Sequence, residues 1–270
     1  MKHVWLSEWK MVTRQKSYYS LIVLWFLVFS LLFLLQSNYG GIAGYTNVTA
    51  TIANIILYLL PLFMLITGSF SISGEIENGQ WHLLSTYPIN IPSYLIGKVV
   101  GLFIAQTVIF TFSFGISMAI GFLFQIPLSI PLLLSIYMFS ILLIFIFLLM
   151  GIMLGSIVST RWKALMVSVG VWFFLIMIWP TALIAILGLF PYSMISPLMK
   201  LALFINPAEF LRFFFVVRWG SGVVFGESYY SLTELFALKN SWIIIVEYFI
   251  AYVAVILFLS FLLLKRRQLK

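Results

Sequence analysis

The chain has 270 residues, 63% of them hydrophobic and only 8% charged, against roughly 25% charged in an ordinary soluble domain. So few charges cannot coat a water-exposed globule, and a chain of this length must still face its solvent over much of its surface, which makes lipid the expected solvent. With no cysteine there is neither a disulfide framework nor a thiolate metal site, and the net charge of +8 sits at the edges of apolar runs, which fits membrane orientation better than nucleic-acid binding.

At the start of the chain, Trp5, Trp9 and Val12 fall at helical spacing while Lys2, Lys10, Arg14 and Lys16 occupy other faces. This predicts an interfacial helix over 1–16, with a basic anchor flank as the plainer reading. The apolar run at 17–35 is long enough to span, and no small-residue cleavage site follows it, so it is expected to stay attached rather than act as a signal peptide. Crossing ~30 Å of hydrocarbon takes about 20 apolar residues, and by that measure five further spans follow. They lie at 52–72 with Pro61 inside, 95–124, 132–158 carrying Gly151 and Gly155, 164–187 with Pro180 inside, and 242–264. The expectation is an all-α integral membrane protein of six transmembrane helices: one domain over 1–270, with a bundle at 17–264 and a basic tail at 265–270.

If the N-terminus is cytoplasmic, eleven basic residues flank the inside: Lys2, Lys10, Arg14, Lys16, Lys98, Arg161, Lys163, Lys265, Arg266, Arg267 and Lys270. Only Lys200, Arg212, Arg218 and Lys239 fall outside, so both termini are expected in the cytoplasm of a multi-pass plasma-membrane protein.

Little in the chain supports enzymatic chemistry. There is no phosphate loop, no H-E-x-x-H and no nucleophile elbow; aspartate is absent, and the two histidines, His3 and His82, fall in interfacial segments. ATP and its magnesium would then be handled by a partner, and the chain itself is expected to hold no cofactor, no metal and no nucleic acid. An intramembrane enzyme would need paired polar groups, and only Glu247 lies clearly within a span, at a depth where it can snorkel. Met150 and Met153 share a helix face and raise Cu(I) as a cargo, but Met at helical spacing in an apolar span is more often packing. Gly151 and Gly155 permit close helix approach.

Two stretches outside the spans are candidates for recognition. In the inside stretch at 73–94, Glu75 and Glu77 meet a loop at the membrane face and Gly79 permits a sharp change of direction. Trp81, Leu83 and Leu84 are expected on the apolar side of a short helix, with Pro88 and Pro92 ending it and Ser93 capping the next span. Such a helix is shaped to dock in a groove of a cytoplasmic partner, and an ordinary turn with interface-seeking Trp and Tyr is the alternative. The outside stretch at 188–241 is expected to hold short re-entrant or interfacial helices that shape an outer exit, or a passive lid over it.

The pattern Glu75, Gly79, Leu83-Leu84, Pro88 and Lys98 resembles the first cytoplasmic loop of ABC-2 type transporter permeases. In that family the loop forms a coupling helix against the ATP-binding subunit, so the resemblance implies that Glu75, Glu77, Gly79, Trp81, Leu83, Leu84, Pro88 and Lys98 belong to an ATPase coupling loop. Asn206, Pro207, Glu209 and Arg212 resemble the N-P-x-E-x-x-R element of the branch that serves nitrous oxide reductase maturation, and the ending Lys265-Arg266-Arg267-Gln268-Leu269 is similar to that branch's basic tail. Gln80 and Ile91 depart from the usual pattern, where Thr follows the loop glycine and a basic residue stands three positions after the loop proline. The resemblance implies a permease homodimer with two copies of a cytoplasmic ABC ATPase, exporting a sulfur or copper species to an extracytoplasmic accepting protein. Export of a drug, peptide or lipid, and a non-transporting assembly or sensor protein, remain the alternatives.

Overall fold

The computed structural model describes residues 16–37, 47–86, 90–124, 129–220 and 229–268, all of whose regular elements are helical. The expected interfacial helix at 1–16 therefore lies, but for Lys16, outside the described residues, as does Pro88.

In chain order the helices are α1 (Lys16–Ser37), α2 (Asn47–Glu77), α3 (Gln80–Thr86), α4 (Ile91–Leu123) and α5 (Ile130–Ile157). They continue as α6 (Arg161–Leu187), α7 (Tyr192–Ile205), α8 (Pro207–Arg218), α9 (Tyr230–Ala237) and α10 (Trp242–Gln268). Five of them, α2, α4, α5, α6 and α10, are long and apolar enough to cross a membrane. The helix at the first expected span, α1, is apolar along Leu21–Leu31. Most of these helices run several residues past the bounds expected from hydropathy, because helical hydrogen bonding continues into the interfacial residues where hydropathy has already fallen. Ser93 does not cap α4: the helix starts earlier, with Asn90 at the N-cap position and Pro92 in the first turn, where a missing amide costs nothing.

Between apolar helices in lipid there is little hydrophobic drive, so close packing and hydrogen bonds must decide which helices associate. The most extensive pairing is α2 with α5, and its cause is glycine. A β-carbon on Gly68 would stand 2.5 Å from the Leu148 carbonyl oxygen, one on Gly151 would stand 2.6 Å from that of Leu65, and one on Gly155 would meet the Ser69 carbonyl oxygen. The two backbones touch along about two turns, and α5 is the most enclosed of the spanning helices.

Parallel α1 and α4 use hydroxyls instead: Ser113 donates to the Ile22 carbonyl at 3.1 Å and Ser117 to that of Phe26 at 3.2 Å. Around these bonds Trp25, Phe29, Phe110 and Phe114 interlock at ring separations of 5.1–6.0 Å. The first half of α6 lies along α2 through Ser168, which contacts Ser69 Oγ at 2.9 Å and donates to the Leu65 carbonyl at 3.3 Å. One turn before Pro61 the Tyr58 carbonyl accepts Trp172 Nε1 at 2.8 Å. Apart from these contacts α6 is largely uncovered, as is α10.

These contacts predict unequal costs for small changes. Gly68→Val should lower the thermal midpoint of the detergent-solubilised protein by several degrees, since overpacking of this kind costs about 1–3 kcal/mol. Gly170→Ala, with nothing within 4 Å of the added carbon, should be neutral or stabilising. Equal effects of the two would remove the backbone-contact account.

Candidate functional site

The α2–α3 turn is built by one residue. Gly79 adopts φ 73°, the left-handed conformation that ends a helix, and its own carbonyl then accepts His82 N at 3.1 Å to begin α3. Just before it, Glu75 bonds Lys98 Nζ at 2.5 Å and also accepts the Tyr94 hydroxyl, so the end of α2 is tied to the start of α4. The Lys98 side chain is 1% exposed and that of Glu75 13%, so the pair is withdrawn from water, and Lys98 also lies 5.5 Å from the centre of the Tyr94 ring. Trp81 of α3 meets that ring edge-on at 5.7 Å. Glu75, Trp81, Tyr94 and Lys98 are thus one assembly, which fixes how α3 sits across the ends of α2 and α4.

Trp81 and Leu83 do not share an apolar side, as the sequence led us to expect. Trp81 is buried and Leu83 is 68% exposed, because two residues along a helix turn the side chain by about 200°. The Leu84 side chain and Pro88 lie outside the described residues.

Two arginines close the same end. Arg161 lies flat against Gly74, with Nε 2.7 Å from where a β-carbon would stand, and its backbone amide donates to Glu77 at 3.0 Å. Arg267, from the last turn of α10, donates to the Ser156 carbonyl at 2.9 Å and the Ile157 carbonyl at 2.6 Å, satisfying carbonyls that the end of α5 leaves without amides. Lys98, Arg161 and Arg267 therefore gather at one end of the molecule.

The Asn206 element lies elsewhere. Within α6 the segment Phe173–Ile178 is a π-helix, in which Trp179 N bonds the Phe174 carbonyl rather than that of Leu175. The next amide in that register would come from Pro180, which has none. The Leu175 carbonyl is left without a helical partner, and Asn206 Nδ2 supplies one at 2.7 Å. The Asn206 Oδ1 of the same side chain accepts Ala208 N at 3.0 Å, capping α8, whose first residue is Pro207.

Leu175 stands roughly 20 Å along α6 from each end at 1.5 Å per residue, so the α7–α8 turn dips to the middle of the bundle. The rings of α8 rise from there beside α10, with Phe210 3.9 Å from Tyr248 and Phe214 5.1 Å from Trp242. Glu209 and Arg212 pair within α8 at 2.6 Å. Beside them burial raises the Tyr229 phenol above its ordinary pKa, Glu209 acting in the same direction and Arg212 against it.

Residues 3–269 match the family model described as ABC-2 family transporter protein. The chain belongs to that family. It is 32% identical over 204 residues to a probable ABC transporter permease protein NosY of Pseudomonas aeruginosa, covering 70% of this chain and 74% of that protein. It is 30% identical over 204 residues, with the same coverage, to the probable NosY permease of Stutzerimonas stutzeri. With its apolar helices, this ABC-2 family protein is a multi-pass protein of the plasma membrane.

The structure thus brings Glu75, Trp81 and Lys98 of the expected coupling loop into direct contact or one shared cluster, and sets Glu77 apart on Arg161. Asn206, Pro207, Glu209 and Arg212 form a separate unit at the base of α8. Sequence reasoning missed Tyr94, Leu175 and the capping role of Arg267. Tyr94 is one turn before Lys98, a signal that was readable, whereas Leu175 matters only through its backbone.

The buried ion pair predicts non-additivity. Glu75→Gln and Lys98→Met should each destabilise by about 3 kcal/mol, since each leaves a partner unpaired, while the double variant should cost clearly less than their sum. Additive losses in thermal melts would show that the two groups do not depend on each other.

Proposed function

We propose that this ABC-2 family protein is the transmembrane permease subunit of an ABC transporter, working as a homodimer with two copies of a separate cytoplasmic ATPase that binds ATP and magnesium. It has no catalytic centre of its own in this reading. Six spans place both termini in the cytoplasm, and α3 is the coupling helix. The observation that carries the reading is the assembly of Glu75, Trp81, Tyr94 and Lys98, which holds a short helix rigidly across the ends of two spanning helices while leaving Leu83 exposed. A surface of that kind can deliver a partner's push to α2 and α4 together.

For the cargo we propose a sulfur or copper species used in nitrous oxide reductase maturation, passed to an extracytoplasmic accepting protein. The likeness to the two NosY proteins supports this choice over a drug, peptide or lipid.

Affinity purification of the tagged chain from its native membrane in mild detergent should recover a soluble ATPase and ATPase activity. A lone protein across several detergents would favour the assembly or sensor role instead. In the recovered complex Leu83→Asp should cut permease-dependent ATP turnover about tenfold or more while leaving insertion intact, as expected for loss of an apolar anchor. Topology is checked in the same cysteine-free chain: in intact cells a cysteine at Asn240 should react with an impermeant thiol reagent, and one at Leu83 only after lysis. The reverse pattern would invert the orientation.

A further inference from the structure

We infer that Asn206 is a positioning residue for transport: it joins α6 to the α7–α8 turn, so that a displacement of the α2–α3 end is carried along α6 to the opposite side of the bundle. The inference rests on the permease reading above, and adds to it a route through the molecule and the residue by which that route leaves α6.

The first half of α6 is fastened to α2 at three levels. At the basic end Arg161 lies on Gly74 and its amide bonds Glu77 at 3.0 Å. Further along, Ser168 bonds Ser69 and the Leu65 carbonyl at 2.9 and 3.3 Å, and Trp172 Nε1 bonds the Tyr58 carbonyl at 2.8 Å. If α6 slid along α2, the Ser168 hydroxyl and the Trp172 indole N–H would lose their acceptors within the apolar span and the Arg161–Glu77 bond would break, so this half of α6 follows α2. From Phe173 onward the helix changes register, and its next polar contact is the Leu175 carbonyl on Asn206 Nδ2 at 2.7 Å.

That bond differs from ordinary packing because neither side has a substitute at hand. The Leu175 carbonyl has lost its α partner to the π register and its π partner to Pro180. Asn206 is fully buried, its Oδ1 already engaged with Ala208 N at 3.0 Å. When α6 moves at this level, α8 must move with it or leave both groups unsatisfied. The rigid ring stack of Phe210 on Tyr248 and Phe214 on Trp242 then passes the shift to α10.

The test separates this linkage from simple structural support. Asn206→Ser keeps an N-cap acceptor for α8 but removes the donor that reaches Leu175. Adding Pro180→Ala returns an amide to α6, so the Leu175 carbonyl can be satisfied within its own helix. Hydrogen exchange would be followed at 173–181 and 207–212 in the purified complex with its ATPase in lipid nanodiscs, with ADP and with ATP trapped by vanadate. In the parent, both segments should change exchange with nucleotide. N206S should show a lower thermal midpoint. N206S/P180A should regain that midpoint while only 173–181 still responds, the response at 207–212 being lost.

If 207–212 still follows nucleotide in N206S/P180A, Asn206 only satisfies a carbonyl and the inference falls while the permease reading stands. If the midpoint is not regained, the account of the orphaned carbonyl is wrong and the inference falls with it. A parent complex in which either segment ignores nucleotide would overturn the inference alone, whereas failure to recover an ATPase with the chain would sink the permease reading, and the inference with it.

Discussion

A backbone carbonyl or amide that loses its helical partner in an apolar medium must find another, and the arrangement of this protein follows from where that happens. Beside Pro180, the carbonyl of Leu175 takes the amide of Asn206. At the end of α5 the carbonyls of Ser156 and Ile157 take the guanidinium of Arg267. Each donor comes from a different helix, so each local irregularity becomes a contact between helices. Where apolar surfaces meet lipid as readily as each other, such contacts fix neighbours and depth more firmly than burial does.

The charges obey the same economy. Glu75 pairs with Lys98 and Glu209 with Arg212, and neither pair lies in the middle of a spanning helix. The first joins two helices at the basic end, where Lys98 reaches in from the start of α4. The second stays within one short helix, where Glu209 also gains from the positive N-terminal end of α8. An acidic residue is thus used to join elements at the turn read as a coupling site, and to set the local chemistry of a helix start at the base of α8.

The spanning helices were legible because an apolar run of sufficient length has one reading, and Gly151 and Gly155 were legible as a packing face because small residues four apart line up on a helix. Their partner Gly68 was not singled out: one glycine without a companion at helical spacing gives no such signal, although its contact with Leu148 is as close. The expectation for Trp81 and Leu83 failed on geometry, since apolar character does not say which side of a two-turn helix a residue faces. Asn206 was picked out by a motif, but its work was invisible. That work depends on a register change in α6, 31 residues earlier, and on a proline that reads in the sequence only as a tolerated interruption. Side-chain patterns reveal faces and lengths; they do not reveal which carbonyl a register shift leaves unpaired.

The kinds of contact also divide the molecule by how it can move. Glycine contacts between α2 and α5 are backbone on backbone over about two turns, and sliding one helix past the other would drive Cα and carbonyl atoms together, so the pair behaves as one body. The hydroxyl contacts of α1 with α4 form a second body. Glu75 and Lys98 connect the two at one end, and further along Thr111 bonds Tyr137 at 2.8 Å while Phe103 meets Phe145 at 5.0 Å and Trp25 meets Phe63 at 6.1 Å. A force applied at the Glu75 end therefore acts on both bodies at once, and α6, fastened to the first body along half its length and to Asn206 beyond it, is the helix that carries a displacement of that body toward α8.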